Sequence, residues 1–296
     1  MLEPIKNKVR KYIRILANKP EEGDGEFAKR IKKRHKAFWK DPNAEKIRNT
    51  IMHACDPLEK WKNAKNWQRK LSNKYNSREF AKMHNCKVPD LYWRGRNYKT
   101  IEFDSLPENY VIRPTIGHSS GLVFLMDKGV NIMDGKRYSN EEISQTLEKA
   151  LDLDIKLEFL IEEFLRTEAG EYKIPDDYKL YMFNGELATI QVINRLSPTK
   201  GFTTFYDENW QPMENANIYY AKGDLQPAPK CLQEMIAKAK ELSRSYEIFV
   251  RIDFYATDKG AVFGEFTPTP FKGTNFAPYG DELFINYWER FCQGKI

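Results

Sequence analysis

The chain has 296 residues, and none of its apolar runs approaches the roughly 18 residues a membrane-spanning helix needs. Cysteine is scarce. Cys55, Cys86, Cys231 and Cys292 lie far apart, with neither metal-ligand spacing nor the density of a disulfide-stapled secreted scaffold. The opening stretch MLEPIKNKVRKYIRILANKPEE breaks its apolar residues with Lys or Arg every few positions, unlike a secretory signal, so a reducing cytoplasm is the expected setting. There is no internal repeat. Basic segments carry tryptophan, yet no RNP-like, helix-turn-helix or zinc-finger signature accompanies them, so no nucleic-acid partner is expected. No convincing Ser-His-Asp or Cys-His arrangement stands out.

What is present is ample material for a core. Hydrophobic residues are 41% and aromatic residues 14%, too much buriable surface for a disordered chain. The length allows one large or two ordinary domains. The net charge of +6 conceals an asymmetry: residues 1–100 hold 27 Lys and Arg against 11 Asp and Glu, and the remainder is acidic. A basic first third suggests an anionic partner: a phosphate ligand, a membrane surface or a nucleic acid.

Two basic helices are expected first, at 5–16 (Ile5, Val9, Tyr12, Ile13 and Leu16 on one face) and in AKRIKKRHKAFWK. They pack on the main domain as amphipathic helices or form a peripheral membrane foot with Ile, Phe38 and Trp39 dipping inward; the first reading is preferred. Residues 43–85 stay helical with Trp61, Trp67, Tyr75 and Phe80 interleaved. After Pro89 short extended runs alternate with turns. Ser139 and Glu142 form a capping box before a helix, and a strand EFLIEEFL follows. A strand pair turning at Asn184-Gly185 leads to a loop-rich region reaching about 228, then a helix at 230–246 and a final hairpin turning at Asp258-Lys259-Gly260. Antiparallel pairs mixed with helices give an α+β class.

The hairpin carries the most chemistry. Strand alternation places Arg251 and Asp253 on one face, and Glu265 and Thr267 on a common face of the return strand. Asp253 and Glu265 then stand nearly opposite each other. Two close carboxylates repel unless a cation sits between them, and hard oxygen donors suit Mg²⁺ with phosphate oxygens. A surface pair neutralised by Arg251 or a nearby lysine satisfies the spacing equally well. In VIRPTIGHSSGLVFL, Arg113 ends a strand before a loop with Gly117, His118, Ser119, Ser120 and Gly121. Such a loop can close on phosphate with its backbone N–H groups, and Arg113 can offer a bidentate fork. Arg113 could instead pair with Glu102 or Glu108 on a surface sheet. In LIEEFL, acids end an apolar strand before a polar loop, a plausible purine-binding hinge with an acid for the ribose.

These segments in this order resemble the ATP-grasp superfamily, and within it the TupA-like branch associated with teichuronopeptide and surface-polysaccharide biosynthesis. The resemblance covers roughly residues 70–290. A DKY-x-VRE element is echoed as Asn73-Lys74-Tyr75-x-x-Arg78-Glu79, an FVLK strand with its Gly-Ser loop as VIRPTIGHSSG, and an EEYL hinge as Glu162-Glu163-Phe164-Leu165. DYK-x-x-x-FNGE matches Asp177-Tyr178-Lys179 through Phe183-Asn184-Gly185-Glu186, and FYD-x-x-W matches Phe205-Tyr206-Asp207 with Trp210. FVRVD and GELTFTP become FVRID and GEFTPTP. Asn73 and Arg113 depart from the family's aspartate and lysine.

The resemblance implies an ATP-grasp fold of two α+β parts clamping the nucleotide: a basic helical region at 1–70, a part at 71–160 with the phosphate loop, and a part at 161–296 with the hinge and Mg²⁺ site. It implies ATP and Mg²⁺ as cofactors and Asp253, Glu265 and Thr267 as metal ligands. Arg251 and Lys179 would be catalytic, with Lys179 also on the phosphates beside Arg113 and loop 117–121. Glu162, Glu163, Phe164 and Leu165 would bind adenine, and Glu168 the ribose. The implied activity is an ATP-dependent, ADP-forming carboxylate–amine ligase attaching an amino acid to a glycan or glycopeptide acceptor. A kinase acting on a glycan or polyol hydroxyl, and a non-catalytic nucleotide- or membrane-binding module, are the alternatives.

Overall fold

The structure is a computed structural model and describes residues 24–117, 122–197 and 200–295. The expected helix at 5–16 lies outside these residues. Two sheets organise the chain. The smaller has the order β1-β6-β2-β3-β4-β5, all antiparallel: β1 Leu91–Gly95, β2 Asn109–Pro114, β3 Phe124–Asp127, β4 Val130–Asn131, β5 Lys136–Arg137 and β6 Phe159–Glu163. The larger has the order β10-β9-β8-β7-β12-β13: β7 Asp177–Phe183, β8 Glu186–Ser197, β9 Lys200–Tyr206, β10 Pro212–Met213, β12 Val250–Thr257 and β13 Gly260–Thr267. A short β11, Ala221–Lys222, lies parallel beside β9. The helices are α1 Glu26–Trp39, α2 Ala44–Asn49, α3 Leu58–Trp61, α4 Lys74–Met83, α5 Asn140–Leu153, α6 Leu232–Tyr246 and α7 Pro278–Phe291.

Local sequence explains most of these elements. Ser139 caps α5 in both directions: its Oγ accepts from Glu142 N–H at 3.2 Å, and Glu142 Oε2 accepts from Ser139 N–H at 2.8 Å. The β7–β8 turn needs two left-handed residues; Asn184 (φ 50°) and Gly185 (φ 98°) supply them. The hairpin β12–β13 turns at Asp258-Lys259, and Thr257 Oγ1 both donates to Gly260 C=O and accepts from Lys259 N–H. The loop-rich reading of the region before 228 needs correction. KGFTTFY forms β9, paired with β8 from Ser197↔Lys200 to Ile190↔Tyr206, because its aromatic and threonine residues suit a ladder.

One face of the larger sheet is apolar and is covered by α6, whose Met235, Ile236, Ala239 and Leu242 are buried. At the Tyr181 end the opposite face is covered by α7 and α1. Phe284 stacks on Tyr181 at 4.7 Å, and Phe27 meets Phe249, Phe276 and Phe284 with centroids 5.0, 5.0 and 5.1 Å apart. Asp281 on α7 accepts from the N–H groups of Phe27 and Ala28, so α7 satisfies the first turn of α1. Phe38 is not available to a membrane: it is buried, with the Arg69 guanidinium 5.0 Å from its ring centroid, and of the two aromatics only Trp39 is exposed. Trp61 and Trp67 are likewise core residues, packed around Phe80. The smaller sheet has its own core, in which Ile112, Phe124, Phe159 and Ile161 meet Ile143 and Leu147 of α5. Among the described residues no helix is long and apolar enough to cross a membrane.

Candidate active site

The site grows from one row of the larger sheet. Gln191, Lys179, Asp253 and Glu265 occupy directly paired positions on β8, β7, β12 and β13. Arg251 and Thr267 form the next pair along the hairpin on the same face. A pleated ladder thus brings the expected cations and carboxylates together without any loop.

Asp253 is buried and not at the surface, while its neutralisation by Arg251 and a lysine is as the alternative reading of the hairpin expects. Its carboxylate is saturated by cations. Arg251 donates to both oxygens, Nε to Oδ1 at 2.8 Å and Nη2 to Oδ2 at 2.9 Å, and Lys179 Nζ approaches Oδ2 at 2.5 Å. Arg251 Nη2 also donates to Thr267 Oγ1 at 2.9 Å. Lys179 lies 3.6 Å from Asp177, which in turn takes Arg195 at 2.5 Å. Glu265 is held more loosely, 3.8 Å from Arg251 and 3.9 Å from Lys74, with its side chain one-third exposed.

The charges tune one another. Burial works to raise the pKa of Glu265, but Lys74, Lys179, Arg251 and Arg113 together outweigh it and hold the carboxyl below its usual range. Asp177 behaves alike: burial pushes up, and Lys179 and Arg195 bring the net shift down. For Arg251, burial pulls down while Asp253 and Tyr181 dominate upward. All three stay ionised at neutral pH.

The smaller sheet faces this row. Arg113 of β2 donates from Nε to Glu162 Oε2 at 2.6 Å, and Arg78 of α4 reaches Glu162 Oε1 at 3.1 Å. Arg113 does pair with an acid, as the alternative reading has it, but the acid is Glu162 and not Glu102 or Glu108, because β2 and β6 are adjacent paired strands. The Glu162 carboxylate itself is buried between these two guanidiniums. Glu163 pairs with Lys259 at 2.5 Å and accepts from Asp90 N–H. Phe164 and Leu165 fit a hinge better: their backbone groups make no hydrogen bond among the described residues, leaving donors and acceptors for a purine edge. Glu168 stands apart. It accepts from Cys231 N–H at 3.3 Å and borders a hollow with Lys230, Glu234 and Asp258 on the α6 side. Gly117 adopts φ 114°, a conformation natural to glycine at the mouth of the phosphate loop. His118, Ser119, Ser120 and Gly121 lie outside the described residues.

Asp253, Glu265 and Thr267 present hard oxygens on two adjacent strands. Two carboxylates with a hydroxyl make an incomplete cage, the kind Mg²⁺ fills with phosphate oxygens and water. Among the described residues no three acids, histidines or cysteines cluster as a stand-alone metal site. The donor types suit Mg²⁺ bound together with a phosphate ligand only where such a ligand draws Arg251 and Lys179 away from Asp253 and Thr267, which they engage here.

Several participants sit in the sequence motifs with no role read from them, and Arg195 is not singled out at all. Lys74 of α4 approaches Glu265, Asp177 of β7 joins Lys179 to Arg195 of β8, and Arg78 of α4 meets Glu162 of the facing sheet. A helix supplying charge across a cleft leaves no local periodicity to read. Asn73, which departs from the resemblance, acts as the α4 cap: its Oδ1 accepts from Tyr75 and Asn76 N–H at 2.9 and 3.4 Å. Asparagine caps as well as aspartate does.

Comparison with known proteins follows this geometry. A family model described as TupA-like ATPgrasp matches residues 58–285. Among solved structures, the chain is similar to D-alanine–D-alanine ligase from Bacillus anthracis, with a TM-score of 0.50, 17% identity, and coverage of 76% of this chain and 69% of that one. The corresponding enzyme from Helicobacter pylori gives a TM-score of 0.45 and 19% identity, covering 76% of this chain and 59% of that one. An L-amino acid ligase from Bacillus licheniformis gives 0.48 and 11%, covering 73% and 48%. The chain thus spans less than two thirds of the last two proteins. No curated protein matches by sequence. The fold is that of the ATP-grasp ligases, and the family match covers most of the sequence from α3 into α7: the chain belongs to the TupA-like ATP-grasp family.

Proposed function

We propose that this protein is an ATP- and Mg²⁺-dependent carboxylate–amine ligase that forms ADP and attaches an amino acid to a surface-glycan or glycopeptide precursor. The carrying observation is the paired row Lys179–Asp253–Glu265 with Arg251 beside it. It offers two carboxylates for a metal–phosphate complex and an excess of cations around them.

In this reading a substrate carboxylate oxygen attacks the γ-phosphorus and ADP leaves with the bridging oxygen. The amine nitrogen then attacks the acyl carbon, phosphate leaves, and the amine gives up its proton. Bound Mg²⁺ would neutralise developing charge on the β- and γ-oxygens. Lys179 and Arg113 grip phosphate oxygens. Arg251, released from Asp253 by the incoming ligand, steadies the phosphoryl group or the tetrahedral intermediate with a planar fork. Preorganised charge supplies the catalysis, and this route needs no protein nucleophile. On the acceptor side, Tyr219 stacks on Phe271 at 5.5 Å and is half exposed, an apolar plane suited to a sugar ring.

The test is ADP release by the purified chain against panels of amino acids and nucleotide sugars or glycopeptides. ADP and free phosphate that appear only when both an acid and an amine are supplied support the reading. Phosphate retained covalently on a hydroxyl acceptor would make the protein a kinase, and an intact ATP pool in every mixture would refute both.

A further inference from the structure

Two guanidiniums are buried beside each other at the end of the hairpin far from its turn, and no carboxylate meets either among the described residues. Arg34 of α1 donates from Nη1 to Phe249 C=O at 2.9 Å and to Pro268 C=O at 3.4 Å. Arg69, in the 3-10 turn Trp67–Ser72, donates from Nη1 to Thr269 Oγ1 and from Nη2 to Arg34 C=O, both at 3.2 Å. By contrast, the buried cations Arg78, Arg113, Lys179 and Arg251 each face a carboxylate. Burial and the neighbouring Arg34 push the Arg69 guanidinium down to about 9. Like charges taken out of water together are costly unless an anion completes them.

The edge of this pair is open. His35 follows Arg34 on α1, is half-buried, and places its Nδ1 3.3 Å from the same Thr269 Oγ1. Because Thr269 Oγ1 accepts from Arg69, its own proton can go to His35 Nδ1, and a neutral His35 then carries its N–H at Nε2 as a donor. Burial, Arg69 and Lys272 hold the His35 pKa below its ordinary value, so the ring is neutral at pH 7. Lys272 is exposed on the loop that follows Thr269. It and Phe271 sit at φ 55° and 51°, a left-handed backbone that such residues adopt only under constraint.

Position along the hairpin indicates the ligand. Thr167, just past the hinge, pairs with Thr257 at the turn end; the carboxylates Asp253 and Glu265 stand midway, and Thr267 follows. A nucleotide laid from hinge to carboxylates ends there, and Thr269 is two residues farther on. What lies beyond the phosphates is the acceptor. Phe271, on whose ring Tyr219 stacks, belongs to the same loop. Arg34 and His35 come from α1, which precedes the family-matched part of the chain, so this corner is furnished by the N-terminal helix.

We infer that Arg34, His35, Arg69, Thr269 and Lys272 form a subsite for an oxyanion on the acceptor, a carboxylate or phosphate borne by its sugar and distinct from the group being joined. This deepens the proposed function and rests on its placement of the nucleotide.

Calorimetry on the full chain tests it with glucuronate, glucose 1-phosphate and neutral glucose, each titrated with and without Mg²⁺ and a saturating non-hydrolysable ATP analogue. The filled nucleotide site keeps a sugar phosphate from binding there. At least one anionic sugar should bind about tenfold or more tightly than glucose, the scale of a charge-assisted hydrogen bond, and which one does so identifies the group as carboxylate or phosphate. Arg69→Met should abolish that preference while the unliganded melting temperature holds or rises, because a buried charge is exchanged for an apolar chain. Lys272→Asn, which tolerates the left-handed backbone, should reduce the preference at least about threefold. If Arg69→Met does not fold, His35→Phe takes its place with the same loss expected. Binding of all three sugars alike, or of none, overturns the subsite. So does a preference that survives Arg69→Met with a lowered melting temperature, which would make the cluster a structural tie between α1 and the loop. Failure of the wild-type chain to bind the analogue refutes the nucleotide reading instead, and the sugar comparison made without analogue still judges the subsite.

Discussion

Two adjacent rows cross the same four strands of the larger sheet, one residue apart, and they could hardly differ more. Ile190, Leu180, Ile252 and Phe266 make one; Gln191, Lys179, Asp253 and Glu265 make the other. The first row lies on the face that α6 covers, and Tyr246 of that helix stacks on Phe266 at 5.6 Å. The second carries charge on a face that α1 and α7 cover only at the Tyr181 end. Removal of charged groups from water is expensive unless each finds a partner, so a purely structural sheet would not bury Lys179, Arg251 and Asp253 side by side. In the proposed reading, the row under α6 serves stability and the charged row serves chemistry. The shared strands make the chemical row rigid.

That division can be broken most sharply at Glu265. Its contacts are long and its side chain is partly exposed, so Glu265→Gln should leave melting nearly unchanged. ATP turnover should fall on the order of a hundredfold or more through loss of metal–phosphate stabilisation. One row over, Leu180→Ala should do the reverse: about 2–5 kcal/mol of stability is lost to the cavity, with nucleotide affinity intact in whatever remains folded. Urea denaturation and nucleotide titration read the two effects separately. Should Glu265→Gln destabilise as much as Leu180→Ala, the two faces are not functionally distinct. Asp253→Asn is expected to injure both properties, since its carboxylate also holds Arg251 and Lys179.

Arg113 probes the facing sheet. Arg113→Ala should weaken ATP by about 1–3 kcal/mol, the range of a charge-assisted bond, beyond what Glu162→Gln does. If the guanidinium serves only to neutralise Glu162, the two variants will lose stability alike and neither will alter ATP affinity.

The sequence exposes elements whose signals are local. The capping box at Ser139, the Asn184-Gly185 turn and the alternation of Arg251 with Asp253 all involve residues within a few positions, and each is realised. Glu162 and Arg113 show the limit. Strand pattern puts each near a cleft, but their union depends on β2 and β6 becoming neighbours across 49 residues of chain. Phe38 shows it again: a basic helix ending in aromatics looks membrane-seeking until Phe27 and Ile31 are seen in the core beside α7 and Phe38 is seen buried under Arg69. Lys74 is quoted in a family motif, yet its approach to Glu265 emerges only when α4 lies along β13.

The smallest expected effect tests whether the apolar side is electrically silent. His84 closes α4 against Phe80, with ring centroids 4.8 Å apart, and lies 3.6 Å from Glu241 of α6. Its Nε2 is buried without a partner among the described residues. Burial pushes its pKa below the ordinary 6.5, and Glu241 only partly restores it. A folded-state value below the unfolded one means that the unfolded chain binds the proton first as pH drops. The stability tied to a neutral His84 is therefore complete above about pH 6.5 and drains away as pH falls through the lower folded value. His35, also lowered by burial, adds in the same direction, whereas the depressed carboxylates Glu265 and Asp177 matter only nearer pH 4. The melting temperature should thus decline between pH 7 and pH 5, and His84→Gln should shrink that decline by the equivalent of less than about 1 kcal/mol, given the solvent around Glu241. A variant whose pH profile runs parallel to wild type over that window would show that His84 can take up a proton in the folded chain at no cost, and that the helix side of the sheet is less closed than its packing implies.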